Sequence, residues 1–212
     1  MTDMGAFRES VTAWAAGGPG DLARELAARL SVRTVVLLEG PSDLAAVEAL
    51  AACRGRDLEA EGVCVLAMNG AMSVGRFARL LGPSGLDLRL TGLCDEAERG
   101  YYARALEGDG DGPGGNTARR QEFFVCAADL EDELIRALGV SRVEELVRAE
   151  GDLRALRTFA RQPAQQGRSS QRQLRRFLGT KKGRKIHYGR VLVEALSPDH
   201  VPAPLDGLLA AV

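Results

Sequence analysis

The spacing of apolar residues changes along this chain. Residues 6–30 place Leu22, Leu26 and Leu30 at helical spacing around a "GGPG" break at 17–20, and predict a helical segment. From residue 34, short unbroken apolar runs alternate with helix-period stretches. "TVVLLE" (34–39), "GVCVLAM" (62–68), "LRLTGLCD" (88–95) and "EFFVCAA" (122–128) read as buried strands. "DLAAVEALAAC" (43–53), "AMSVGRFARLLG" (71–82), "EAERGYYARALE" (96–107) and "DLEDELIRALG" (129–139) read as helices, the second stopped by Gly82 and Pro83. Strands alternating with helices imply βαβ crossovers, and so a four-stranded, Rossmann-like parallel sheet with helices on both faces. "GDGDGPGGNTARR" (108–120) is too polar and glycine-rich for a packed element and reads as a mobile loop. It fails as a calcium loop, because Pro113 and Gly114 stand where further oxygen ligands are needed. From 141 onward the pattern is helical: "VEELVRA", "LRALRTFA", "QRQLRRFL", "YGRVLVEAL". The expected organisation is an N-terminal helical segment (1–30), an α/β core (31–140) and a basic helical C-terminal extension (141–212) completing the same module.

Composition narrows the class. The 212 residues suffice for one sizeable core. No window reads as a transmembrane helix, and the N-terminus lacks the basic and apolar regions of a secretory signal, so a cytoplasmic protein with no membrane partner is expected. Cys53, Cys64, Cys94 and Cys126 form no CxxC pair and read as buried reduced thiols. The net charge of −1 conceals an asymmetry. Residues 151–190 hold twelve Lys or Arg and one acid, Asp152, so an acidic body is joined to a basic segment.

The acids carry the candidate chemistry. Ligand sites in open parallel sheets lie beyond the carboxyl ends of the strands, where strand order reverses. Glu39 ends the first strand and Asp95 the third, while Asp129 and Glu131 follow the fourth. If the first, third and fourth strands are neighbours, these acids meet on one edge. Gly40 lets the chain double back, and Pro41 suits the first turn of the following helix. Asp43 can reach the same side or simply cap that helix. Glu98, three past Asp95, lies one helical turn on. Several carboxylates so close need a compensating charge, and hard divalent cations supply it. Two such ions about 4 Å apart can activate water and stabilise the leaving oxygen of a phosphodiester.

"VLLEGPSDLAAVEALA", "NGAMSVGRFARLL", "GLCDEAE", "DLEDELIRALG" and a late "GRKIHYGRVLVEAL" fall in an order that resembles the Toprim domain of OLD-family (overcoming lysogenization defect) nucleases. The same fold occurs in topoisomerases, bacterial primases and some RNA maturases. The resemblance covers roughly residues 33–196. It implies a Toprim-like fold and an endonuclease site dependent on Mg2+ or Mn2+, with two metals. By position it implies Glu39, Asp43, Asp95, Glu98 and Glu131 as metal ligands. The resemblance further implies that Glu39, Asp43 and Asp95 carry catalysis and that Lys185 offsets charge on the phosphate. The family's DxD would place its second acid at position 97, which here is Ala97, and Glu98 is the substitute. OLD-family nucleases usually carry an ATPase ahead of the Toprim domain. No GxxxxGK[ST] occurs in these 212 residues, so the expectation is a stand-alone module or one served by a separate ATPase or helicase subunit.

Arg168, Arg172, Arg175, Arg176, Lys181, Lys182 and Arg184 are candidate contacts to a DNA backbone, with RNA an alternative substrate. His187 and His200 lack metal-ligand spacing, and His187 reads as a surface residue. A topoisomerase would need a tyrosine nucleophile, for which Tyr101, Tyr102 and Tyr188 are available, but the chain lacks domains to gate a strand. Trp14 reads as core or interface filling. The rival readings are a catalytically weak Toprim module that binds nucleic acid or an ATPase, favoured by Ala97, and a nucleotidyl transferase. A homodimer is compatible with the sequence.

Overall fold

Four strands, β1 (Thr34–Leu38), β2 (Val63–Ala67), β3 (Arg89–Asp95) and β4 (Gln121–Cys126), pair in parallel in the order β2-β1-β3-β4. The computed structural model of the protein describes residues 3–107 and 121–212. The polar stretch expected as a loop at 108–120 lies outside the described residues.

The strands read as continuous apolar runs because both sheet faces are covered. Val36, Leu38, Val63, Val65, Leu93 and Cys126 face one core. That core is filled by α3 (Pro41–Cys53), α6 (Leu130–Leu138), α7 (Val140–Ala149), α8 (Leu153–Ala160), α9 (Ser170–Leu178), α10 (Lys182–Glu194) and α11 (Ala203–Ala211). The alternate residues Val35, Leu37, Cys64, Leu66, Leu90 and Cys94 face a second core. There α4 (Val74–Leu81) and α5 (Arg99–Glu107) pack with the N-terminal helices α1 (Asp3–Ala15) and α2 (Asp21–Arg29). The stretches expected as helices from 71 and 96 each open with a 3₁₀ turn, Ala71–Ser73 and Glu96–Glu98, before the α-helix begins.

Two packing details position the site. Successive strands lie on opposite sides of β1, so the order reverses between β1 and β3, and a crevice opens at their carboxyl ends. On the first face α10 lies directly against α3. A Cβ at Gly189 would sit 2.6 Å from the Ser42 carbonyl oxygen, so only glycine permits this approach.

One expectation needs correcting. Cys64, Cys94 and Cys126 are buried thiols, but Cys53 is exposed, because it closes α3 on the solvent side. Trp14 is half-buried, with the Arg24 guanidinium 4.8 Å over its ring. No helix among the described residues is long and apolar enough to cross a membrane.

Candidate metal centre at the sheet edge

The edge is built from the β1–β3 seam. Leu37 pairs with Gly92, so Glu39 and Asp95 leave their strands on the same rim. A Cβ at Gly92 would lie 2.0 Å from the Leu37 carbonyl oxygen and 2.8 Å from the Phe123 ring, which limits this position to glycine. The backbone of Glu39 is pinned from the other side. Met68 N–H donates to the Leu38 carbonyl (2.8 Å), and Gly70 N–H to that of Glu39 (2.9 Å). This turn uses Asn69 at φ +58° and Gly70 at φ +130°, a backbone conformation that favours glycine. The "MNG" stretch therefore helps to fix the backbone of Glu39.

Glu39, Asp95 and Glu98 form a group in which one carboxylate oxygen from each lies within 4.8 Å of the others. All three are partly buried. Burial, joined by the charges of Asp129, Glu39, Glu98 and Asp43, pushes Asp95 up to about 7. Burial, with Glu39 and Asp43, also raises Glu98. Oε2 of Glu98 is buried and has no hydrogen-bond partner. A buried carboxylate oxygen left unpaired is costly, and a hard divalent cation among oxygen donors is the group that would satisfy it. The residues present thus fit such an ion. Ala97 is exposed, whereas Glu98 turns into the cluster, because the 3₁₀ turn Glu96–Glu98 intervenes between strand and helix.

The other candidate acids stand beside this trio rather than within it. Asp43 is buried in the first turn of α3 and accepts a hydrogen bond from Gly40 N–H at 2.9 Å, so it caps that helix. Burial raises its pKa against the opposing effects of Lys185 and the Gly40 N–H. Glu131, in the first turn of α6, is pushed up to about 7 by burial, although Lys185 pulls it down. Lys185 Nζ approaches Glu131 Oε1 at 3.3 Å. Burial opposes the Lys185 charge, but Glu131, Asp43 and Asp129 outweigh it, and its pKa rises. Asp129 caps α6 through Asp132 N–H (2.8 Å) and pairs with Arg175 at 2.6 Å. The edge is thus a row of carboxylates flanked by two cations, Lys185 and Arg175.

Comparisons with known proteins agree with this architecture. Residues 32–96, which span β1 to the end of β3, match the family model described as "Overcoming lysogenization defect protein-like, TOPRIM domain". Over these residues the chain is similar to an OLD-like Toprim domain. Solved structures extend the likeness in fold over 85% of the chain. It is similar to the C-terminal region of the Burkholderia pseudomallei OLD protein, at 20% identity and TM-score 0.63, covering 96% of that chain. It is likewise similar to the C-terminal region of the Xanthomonas campestris pv. campestris OLD protein, at 24% identity and TM-score 0.64, covering 94% of that chain. No curated protein matches the chain.

Within this Toprim architecture the basic candidates separate. Arg168, Arg172, Arg175 and Arg176 line one cleft of about 460 Å³ together with Asp129. Lys181 and Lys182 are exposed at the start of α10. Arg184 is tied to Asp152 (3.1 Å) and stacked 4.1 Å over Phe177, so it joins α10 to its neighbours rather than offering a free charge. His187 is exposed and sits 2.7 Å from Glu150. Tyr102 and Tyr188 are buried and cannot reach a nucleic-acid strand as nucleophiles. Tyr101 is exposed, with Arg104 over its ring at 5.1 Å. Sequence reasoning missed the roles of Gly189 and Arg175, because both act through helix packing that no local pattern encodes.

Proposed function

We propose that this Toprim chain is a Mg2+- or Mn2+-dependent endonuclease that hydrolyses phosphodiester bonds in DNA. Glu39, Asp95 and Glu98 hold the cation. The observation that carries the reading is the buried, unpartnered Glu98 oxygen inside a trio of carboxylates at the switch point of the sheet. When bound, the ion supplies charge compensation for the trio and polarises phosphate oxygens. The chain's own residues do the rest. The tight β1–β3 seam and the Gly70 turn hold Glu39 and Asp95 on stiff elements. Asp43, fixed by the Gly40 N–H, is placed to orient a water or accept its proton. Lys185 is kept protonated by the surrounding carboxylates and offsets charge building on the phosphate. Glu131 holds the Lys185 ammonium in place. The resemblance to OLD-family nucleases points the same way.

The test is incubation of the purified chain with supercoiled plasmid and Mn2+ or Mg2+. Nicked and linear products are expected from the native chain. EDTA should abolish them, and Glu39→Ala and Asp95→Asn should reduce them by more than the roughly 10–100-fold typical of losing an outer-shell partner. Cleavage that survives Glu39→Ala at the native rate would overturn the reading. Absence of cleavage with DNA binding intact would favour the rival reading suggested by Ala97, a catalytically weak binding module.

A further inference from the structure

The cleft beside Asp129 is lined by four arginines, of which Arg172, Arg175 and Arg176 project from α9. Arg172 and Arg176 stand one turn apart on α9 with Arg175 beside them, and Arg168 lies in the segment just before the helix. Arg168, Arg172 and Arg176 are exposed. Arg168 donates through Nε to the Ala164 carbonyl at 2.9 Å, which leaves its terminal nitrogens for another acceptor. None of these three has an acidic partner among the ion pairs of the described residues. Arg175 differs, since it is bound to Asp129 at 2.6 Å and cannot move freely. The opposite side of α9 is apolar and buried through Leu174, Phe177 and Leu178, so Arg172 and Arg176 stand on an element fixed to the fold.

We infer that this cleft is a seat for successive DNA backbone phosphates, with Arg168, Arg172 and Arg176 as the contacting residues and Arg175 as the fixed post between the cleft and the carboxylate edge. Three guanidiniums lining one cleft, two of them on α9, suit a row of phosphates, because each presents a planar fork of donors that matches phosphate oxygens. Three uncompensated cations in one open cleft are also unfavourable for the free protein, and anions relieve that repulsion. The position suits the chemistry. Asp129 lines the cleft and is close enough to Asp95 for its charge to bear on that carboxyl. A strand lying in the cleft therefore runs past the trio. The other basic groups fit less well: Arg184 is engaged by Asp152, and Lys181 and Lys182 stand outside the cleft. The inference takes the identity of the anion from the nuclease reading above.

The experiment is fluorescence anisotropy of a labelled DNA duplex with the full chain, in EDTA, across a salt series. Three phosphate contacts should contribute about 0.9 each to the slope of log K against log salt. R168A/R172A/R176A should lower the slope by about 2–3 and weaken binding at least tenfold near 0.15 M salt. The charge-matched R142A/R148A/R157A, on α7 and α8, should stay within about threefold of the native chain. Melting temperatures of both variants near the native value confirm that the fold is intact. Equal slopes for the native and R168A/R172A/R176A chains, or equal losses in the two variants, overturn the inference. The nuclease reading fails separately. A chain that binds through these arginines but never cuts with Mg2+ or Mn2+ keeps the cleft and loses the nuclease. A chain that cuts but binds independently of them does the reverse.

Discussion

Lys185 and Glu131 meet at 3.3 Å across the packing of α10 on α6, and the two sides of this contact differ sharply in exposure: the Glu131 side chain is 6% exposed and that of Lys185 39%. The carboxylate is buried and depends on the lysine, while the lysine reaches partly into solvent beside the carboxylate edge. Lys185→Met should destabilise the fold by roughly 1–2 kcal/mol. Breaking a fully buried pair costs about 3–5 kcal/mol, but here the lysine is partly solvated and Glu131 can take up a proton. Urea denaturation checks the stability. Cleavage should fall further than stability explains, and Glu131→Gln/Lys185→Met should recover stability without recovering cleavage.

Gly189 sets the distance between α10 and α3. Gly189→Ala places a methyl 2.6 Å from the Ser42 carbonyl oxygen, so the helices must separate. The expected cost is about 1–3 kcal/mol, as for other overpacked contacts. Because Lys185 lies one turn earlier on α10, cleavage should drop together with the melting temperature.

The raised carboxyls give the metal-free protein a definite response to pH. Asp95 and Glu131 are pushed up to about 7 in the fold, against about 4 in an unfolded chain. Between these values the folded state binds more protons than the unfolded one, so stability falls as pH rises. The contribution is complete below about pH 4 and is lost as pH passes through about 7. Asp152 and Glu61, lowered by hydrogen bonds from Arg184 and Arg56, act below that window. In EDTA the melting temperature should decline from pH 5 to pH 8, and Asp95→Asn should flatten the decline. Added Mn2+ should raise the melting temperature more at pH 8 than at pH 5, because at low pH the ion must displace protons. A flat native profile contradicts the electrostatic description of the edge.

In the proposed metal site Glu98 stands in for the acid that the family pattern has at position 97. Glu98→Gln should weaken Mn2+ binding tenfold or more. Ala97→Asp should change it little, since position 97 is exposed while Glu98 faces the cluster. Isothermal titration of both variants distinguishes the two positions.

How much of this was legible in the sequence depends on the range of the interaction. β1 and β3 could be read because strands covered on both faces are nearly uniformly apolar, and an acid such as Glu39 or Asp95 at the end of such a run stands out. Their convergence was a condition on strand order, which is met by β3 pairing with β1. Glu98 was placed one helical turn from Asp95; the 3₁₀ turn delivers it to the cluster by a different local geometry. Asp43 was left open between ligand and cap, and its hydrogen bond from Gly40 makes it a cap at the flank of the trio. The pairs Lys185–Glu131, Arg175–Asp129 and Arg184–Asp152 were not legible as pairs, because each joins elements whose packing is decided by buried residues such as Leu174, Phe177 and Tyr188. The twelve bases of 151–190 looked uniform in sequence; the fold separates them into helix ties and a cleft.

The central claim is that Glu39, Asp95 and Glu98 share one divalent ion. Electron paramagnetic resonance of free Mn2+ during titration with the chain tests it most directly, since bound and free ion are counted without any activity assay. The native chain should withdraw the free signal with a saturable site near one ion per chain, and Asp95→Asn should leave most of it free. Equal binding by the native and Asp95→Asn chains, with both folded, would contradict the account.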